Sequence, residues 1–197
     1  AYERATHAFI ETILRANTEN SFRRDFESFA QRVIQVGLWN SLSQTLLKLT
    51  SPGVPDIYQG TELWDFSLVD PDNRRPVDYV VRRDAVHDVL WDTARESDDG
   101  KVFARQLVDN ARDGRIKIFV IAKTLRMRRL YPEVFDEGEY IPLEACGHGR
   151  DHLCAFARRH ENIWSITIVP RLVAGMLTDW AVTPIGASCW GDTKLTL

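Results

Sequence analysis

The sequence predicts an α+β fold, with a long helical part followed by a small antiparallel strand-rich part. Three observations carry this. Apolar residues recur at helical spacing through the first fifty positions. The same period returns between about residues 80 and 131. After "DEGEY" (136–140) the apolar period falls from 3.6 to 2, in short runs separated by Gly, Asn and Asp.

In chain order, Ala5, Phe9 and Ile13 share one face of a first helix. In "NSFRRDFESFAQRVIQVG" the residues Phe22, Phe26, Phe29 and Val33 stand at i, i+4, i+7 and i+11, an amphipathic stripe expected in the core. Asn20 or Ser21 is placed to cap this helix and Gly37 to end it. "WNSLSQTLLKLTSPG" then gives a third helix, with Leu42, Leu46 and Leu49 inward and a stop at Pro52 and Gly53. "VPDIYQG" reads as one buried strand ending at Gly60, because Pro55 biases Val54 toward extended backbone. A long polar loop runs on to Tyr79. "RRDAVHDVLWDTARES" is expected to be helical with Val86, Val89 and Leu90 inward, "SDDGK" to turn, and 101–110 to be helical. In "GRIKIFVIAKTLRMRRLYPEVF" the apolar face is Ile116, Phe119, Val120, Met127 and Leu130, and Pro132 ends the helix. "EYIPLEA", "DHLCAFARR", "NIWSITIVPRL" and "CWGDTKLTL" are the strands. In the third of them Trp164, Ile166 and Ile168 alternate with Ser165 and Thr167. The boundary near 132–138 divides the chain into residues 1–132 and 133–197.

Composition narrows the function. The 197 residues are 44% hydrophobic and 27% charged, which suits an ordinary globular protein. A formal charge of -3 supplies no general attraction to nucleic acid or anionic membrane, and neither is expected as a partner. Three cysteines without framework spacing point to a reducing compartment, the cytoplasm. No apolar run is long enough to span a bilayer, and no signal-peptide pattern opens the chain. The chain starts inside an amphipathic helix without Met, which reads as a cut within a longer protein.

"DPDNRRPVDY" (70–79) holds acids, an Asn and two adjacent arginines on a segment stiffened by Pro71 and Pro76, and nothing in it builds a core. It belongs to "LLKLTSPGVPDIYQGTELWDFSLVDPDNRRPVDY", which resembles the region around the eighth barrel strand of the maltooligosyl trehalose synthases. These form a branch of the α-amylase superfamily, glycoside hydrolase family 13. "DGRIKIFVIAKTLRMRRLYPEVFDEGEYIPL", "HLCAFAR", "IVPRL" and "CWGDTKLTL" resemble the last barrel-side helix, the carboxy-terminal β domain and the closing strand of the same family, in the same order. The resemblance implies that residues 1–132 are the terminal part of a (β/α)8 barrel: helices, strand eight and its loop. Residues 133–197 would be the antiparallel β domain. A complete barrel needs about 250 residues.

Barrel sites lie on the loops after the strands. The resemblance therefore implies that Asp70, Asp72, Asn73, Arg74, Arg75 and Asp78 line or support sugar subsites, with Tyr58, Gln59 and Glu62 nearby and Trp64 able to stack on a sugar face. Carboxylates accept from sugar hydroxyls, while Asn and the planar guanidinium donate. The competing reading of each charged residue is a salt-bridged framework that only shapes the loop. Asp56 reads as structural. The reaction implied is conversion of the reducing-end α-1,4 linkage of a maltooligosaccharide into an α,α-1,1 linkage, by retaining intramolecular transglycosylation. The catalytic carboxylates implied by the family follow strands four, five and seven. None of those motifs occurs here, so no residue is nominated as catalytic and the chain alone is expected to be inactive. No cofactor is expected.

Cys146, His148, His152 and Cys154 in "CGHGRDHLC" do not follow a familiar zinc spacing and are expected to span a hairpin, not to hold a metal. The cluster Arg126, Arg128 and Arg129 reads as a solvated helix face. Two other functions stay open: a non-catalytic carbohydrate-binding or assembly module, and the tail of an amylase-type hydrolase. The fragment is also expected to self-associate through surfaces that would face the rest of a barrel.

Overall fold

The computed structural model describes residues 1–16, 20–93, 99–177 and 183–196. Helices fill the first two-thirds: α1 (Tyr2–Leu14), α2 (Ser21–Thr50), α3 (Tyr79–Thr93), α4 (Asp99–Asp109), α5 (Arg115–Leu130) and α6 (Pro132–Asp136). The remainder carries β1 (Glu139–Pro142), β2 (Glu144–Cys146), β3 (Leu153–His160), β4 (Ile163–Pro170), the short α7 (Ala187–Trp190) and β5 (Lys194–Thr196). Of the expected "SDDGK" turn, Ser97 and Asp98 lie outside the described residues, and Asp99 already begins α4.

The two helices expected between residues 20 and 50 are one. Asn20 caps it, its Oδ1 accepting from the Arg23 N–H at 3.0 Å, and α2 runs straight through Gly37. A glycine inside a helix costs about 1 kcal/mol against alanine, which is too little to stop a helix packed along its second half. Only that second half is buried, at Val36, Leu38, Trp39 and Leu49. The stripe Phe22, Phe26, Phe29 and Val33, expected inside, is between 48% and 61% exposed because no described element covers it.

The core gathers where α2, α3, α4 and α5 meet. Val36 and Trp39, Ala85 and Val89, Phe103 and Leu107, and Ile116 and Ile118 enclose it, and Val173 closes it from the strand-rich side. The expected inward faces shift accordingly. On α3 only Val89 of the three expected residues is buried, joined by Ala85, while Val86 and Leu90 are exposed. On α5, Met127 and Leu130 are exposed, and Ile116, Ile118 and Ile121 are inside. Pro132 ends α5 as expected and also opens α6 at its first turn, where a missing N–H costs nothing.

Two small antiparallel sheets follow. One has the order β1–β3–β4, with Glu139 opposite Arg159 and Leu153 opposite Pro170. The other pairs β2 with β5, Ala145 opposite Leu195. The alternation in β4 is present: Trp164, Ile166 and Ile168 are exposed, and Thr167 and Val169 are buried. Val134 and Phe135 of α6 are buried too, and this helix packs on β3, joining the strands to the helical part. The expected hairpin across Cys146 and Cys154 is not formed, because the two residues lie in different sheets. Cys146 lies in β2 opposite Lys194, and Cys154 lies in β3 opposite Val169. Among the described residues, no helix is long and apolar enough to cross a membrane.

Candidate functional site: the polar segment after α2

Residues 51–78 connect α2 to α3. Of the segment expected to be a buried strand, 54–60, residues 54–58 are extended but unpaired and 59–60 already turn, with Val54 97% exposed. A strand needs a neighbour to take its N–H and C=O groups, and no described strand lies beside it. It ends in a turn in which Thr61 donates to the Tyr58 carbonyl through both N–H (3.0 Å) and Oγ1 (2.7 Å). Gly60 has φ 93°, and a Cβ there would meet Val77 Cγ2 at 3.2 Å, so both backbone and space call for glycine.

Two sides hold this turn. From α3, Arg82 Nε donates to Glu62 Oε2 at 3.1 Å, while its other nitrogens reach the Gly60 and Asp78 carbonyls. Glu62 Oε2 also accepts from the Gly60 N–H at 3.0 Å. From the other side, Trp64 Nε1 donates to the Ala111 carbonyl at 2.7 Å, and Lys117 Nζ donates to the Leu63 carbonyl at 3.3 Å. Burial pushes the Lys117 ammonium below the ordinary lysine pKa, with Lys48 adding to the effect and Asp65 and Glu62 opposing it.

The loop that follows is knotted to itself. Asp65 accepts from both the hydroxyl and the N–H of Ser67, which together hold its carboxyl below the usual aspartate range. Arg74 forks onto both oxygens of Asp70, with Nε at 2.6 Å and Nη2 at 2.5 Å. Arg75 Nη2 lies 3.0 Å from Asp72 Oδ2 and 2.8 Å from Ser67 Oγ. Asp72 also accepts from the Leu68 N–H at 2.7 Å. Asp78 caps α3, accepting from the N–H groups of Val80 and Val81 at 3.0 and 3.1 Å. Tyr79 donates to Gln59 Oε1 at 3.4 Å. Asn73 Oδ1 is buried without a hydrogen-bond partner.

The ten residues selected from the sequence thus share one segment without sharing one cavity. Tyr58 lines a cleft of about 740 Å³ together with Asp56, Thr61, Lys48 and Lys117. Glu62 lines a separate pocket with Tyr79, Arg82 and Val86. Sequence reading missed Lys117 and Arg82 and set Asp56 aside. The available signal for Lys117 was a lysine enclosed by Ile116 and Ile118 in an apolar helical run. Elsewhere, the His148 N–H donates to Asp192 Oδ1 and His152 Nδ1 lies 3.1 Å from the Leu172 carbonyl. Among the described residues, no group of three or more His, Cys, Asp or Glu is arranged to hold a metal.

No family model matches the chain. Proteins assigned as maltooligosyl trehalose synthase in Mycobacterium tuberculosis strains CDC 1551 / Oshkosh and ATCC 25618 / H37Rv are 39% identical over 153 residues, covering 78% of this chain and 17% of theirs. The solved maltooligosyltrehalose synthase of Arthrobacter ramosus is 33% identical with a TM-score of 0.67, over 98% of this chain and 21% of that one. A Sulfolobus tokodaii structure described as a hypothetical maltooligosyl trehalose synthase is 30% identical with a TM-score of 0.60, over 86% and 20%. The chain spans about a fifth of the length of the relatives it matches, and within that span it belongs to the maltooligosyl trehalose synthase family.

Proposed function

We propose that this chain is the carboxy-terminal portion of an enzyme that isomerises the reducing-end α-1,4 linkage of a maltooligosaccharide to an α,α-1,1 linkage, acting in the cytoplasm. The observation that carries the reading is the likeness to the Arthrobacter ramosus synthase across 98% of the chain in sequence and fold together. Residues 1–132 are then the last part of the barrel, with 54–58 as its eighth strand, and residues 133–197 are the β domain. In retaining transglycosylation a carboxylate forms a glycosyl-enzyme, and a second carboxyl group acts as acid and then base. This chain contributes neither of these groups. Its part is to keep the cleaved glucose in place until the sugar attacks through its anomeric hydroxyl, which is a positional contribution.

The ion pairs of the 65–78 loop refine that role. Because Arg74 and Arg75 are held by Asp70 and Asp72, the loop presents a preformed polar rim and loses little freedom on binding sugar. To test the reading, this chain is substituted for the matching segment of the Arthrobacter ramosus enzyme and incubated with maltopentaose. Loss of reducing ends without shortening of the chain is expected. A gain of reducing ends would instead favour an amylase-type hydrolase. This chain alone is expected to leave maltopentaose unchanged, and turnover above a buffer blank would overturn the assignment of the chemistry to other segments.

A further inference from the structure

Lys117 stands in the first turn of α5 at only 9% exposure, between the core residues Ile116 and Ile118. Lysine is almost never buried to this extent without a compensating partner. Among the described residues no carboxylate lies within ion-pairing distance of it. Its ammonium instead donates to the Leu63 carbonyl and stands 5.6 Å from the centre of the Trp64 ring. The surroundings are shaped for this contact. Gly114, at φ 82°, lets Leu63 and Trp64 approach so closely that a Cβ there would meet Leu63 Cδ2 at 3.0 Å and Trp64 N at 3.3 Å. Trp64 is fixed from its far end by the Ala111 carbonyl. A methionine would fill the same volume without bringing a charge indoors, so packing alone gives no reason for an ammonium at this place.

We propose that Lys117 is a positioning residue for the proposed sugar-handling segment. It pins the Leu63–Trp64 turn by a carbonyl bond and a cation–π contact. It thereby sets the distance between the Tyr58–Glu62 turn on one side and the Asp65–Arg75 loop on the other. The geometry suits this because Leu63 and Trp64 are the two residues that join those stretches, and because Lys117 also lines the cleft that holds Tyr58 and Asp56. The inference rests on the reading that this segment retains the cleaved glucose.

The test uses Lys117→Met and Lys117→Arg in the full-length protein, with maltopentaose as substrate. Lys117→Met is expected to raise the ratio of free glucose to isomerised product about tenfold and to lower kcat with KM little changed, since a charge-assisted bond has been removed from a positioning contact. Lys117→Arg, which keeps a cationic donor, should recover most of the loss. A purely structural lysine would lower both products together, in step with the melting temperature, and that result would overturn the proposal. Amide hydrogen exchange is the second measurement: exchange at residues 60–65 should rise about tenfold in Lys117→Met, while residues 153–170 keep their protection. Unchanged exchange at 60–65 would also overturn the proposal. If the unmodified protein forms no isomerised product, the functional reading fails and the exchange arm still decides whether Lys117 holds the turn. Lys117→Gln replaces Lys117→Met in both measurements if the latter does not accumulate as folded protein.

Discussion

Arg82 is the residue whose removal should most disturb the turn after residue 58. Its guanidinium serves the Glu62 carboxylate and the carbonyls of Gly60 and Asp78 at once, and the side chains of Arg82 and Glu62 are only 19% and 31% exposed. Arg82→Met keeps the apolar stem and removes all three contacts. Exposed ion pairs contribute about 0.2–1 kcal/mol, and breaking a fully buried pair costs about 3–5 kcal/mol. A half-buried pair with two added carbonyl bonds should fall between, at about 2–3 kcal/mol. For a chain of this length about 1 kcal/mol moves Tm by about 2–4 °C, so a drop of about 5–10 °C is expected. Arg75→Met is the control, because its pair with Asp72 is 63% and 44% exposed and should be worth about 1 kcal/mol or less. The assay is thermal unfolding followed by circular dichroism, with a double-mutant cycle between Arg82→Met and Glu62→Gln. Coupling of about 1–2 kcal/mol is expected for groups in direct contact. Equal shifts for the two arginines, or coupling below about 0.3 kcal/mol, would refute the claim that burial makes this pair the anchor.

Three further outcomes follow from other features. The exposed stripe Phe22, Phe26, Phe29 and Val33 should make this chain self-associate, and Phe26→Glu should lower the weight-average mass in sedimentation; a monodisperse parent chain would contradict this. Burial depresses the Lys117 pKa, so between its folded value and the ordinary 10.5 the unfolded chain binds more protons, and stability should rise with pH across that alkaline window. Urea midpoints of the parent chain measured against Lys117→Met would show this rise, and parallel curves would show it is absent. In the full-length protein, Arg74→Ala frees Asp70 from its fork and should raise free glucose relative to isomerised product. If both products fall together with Tm, the Arg74–Asp70 pair is framework only.

The sequence made the sequence-local features of this fold legible and the distant pairings not. Helical period located α3, α4 and α5, and the change to period 2 located the strand-rich part, although "EYIPLEA" is divided between β1 and β2 in different sheets, and Cys189 and Trp190 of "CWGDTKLTL" lie in α7, ahead of β5. Period alone does not say which face is covered. In β4 both faces carry β-forming residues, and the buried one proved to be Thr167 and Val169. Gly37 was legible as a helix breaker only if the chain had to turn there. With φ in the helical range and open space at its Cβ, it is simply carried along. In the site, Asp70–Arg74 and Asp72–Arg75 stand four and three residues apart, and the framework reading was available from spacing alone. Glu62 and Arg82 are twenty residues apart and Leu63 and Lys117 fifty-four, and no local pattern joins them.

Those long-range contacts share one physical feature. The segment from the end of α2 to Trp64 is held at four points through its carbonyl oxygens. Arg128 Nη1 donates to the Leu49 carbonyl at 3.1 Å and its Nη2 to the Gly53 carbonyl at 3.4 Å, while Arg82 takes the Gly60 carbonyl and Lys117 that of Leu63. Three cations from α3 and α5 thus fix the two ends of the extended stretch. Between those ends the N–H groups of Val54, Asp56, Ile57 and Tyr58 donate to no described residue. Backbone donors in a folded protein need partners, and extended backbone with its ends pinned presents its donors in register for a neighbouring strand. A side-chain clamp at both ends with an unpaired ladder between is what a strand requires if its sheet neighbours come from other parts of a longer chain. Asp56 and Tyr58 then share one face of that strand, the face turned toward the Lys117 cleft.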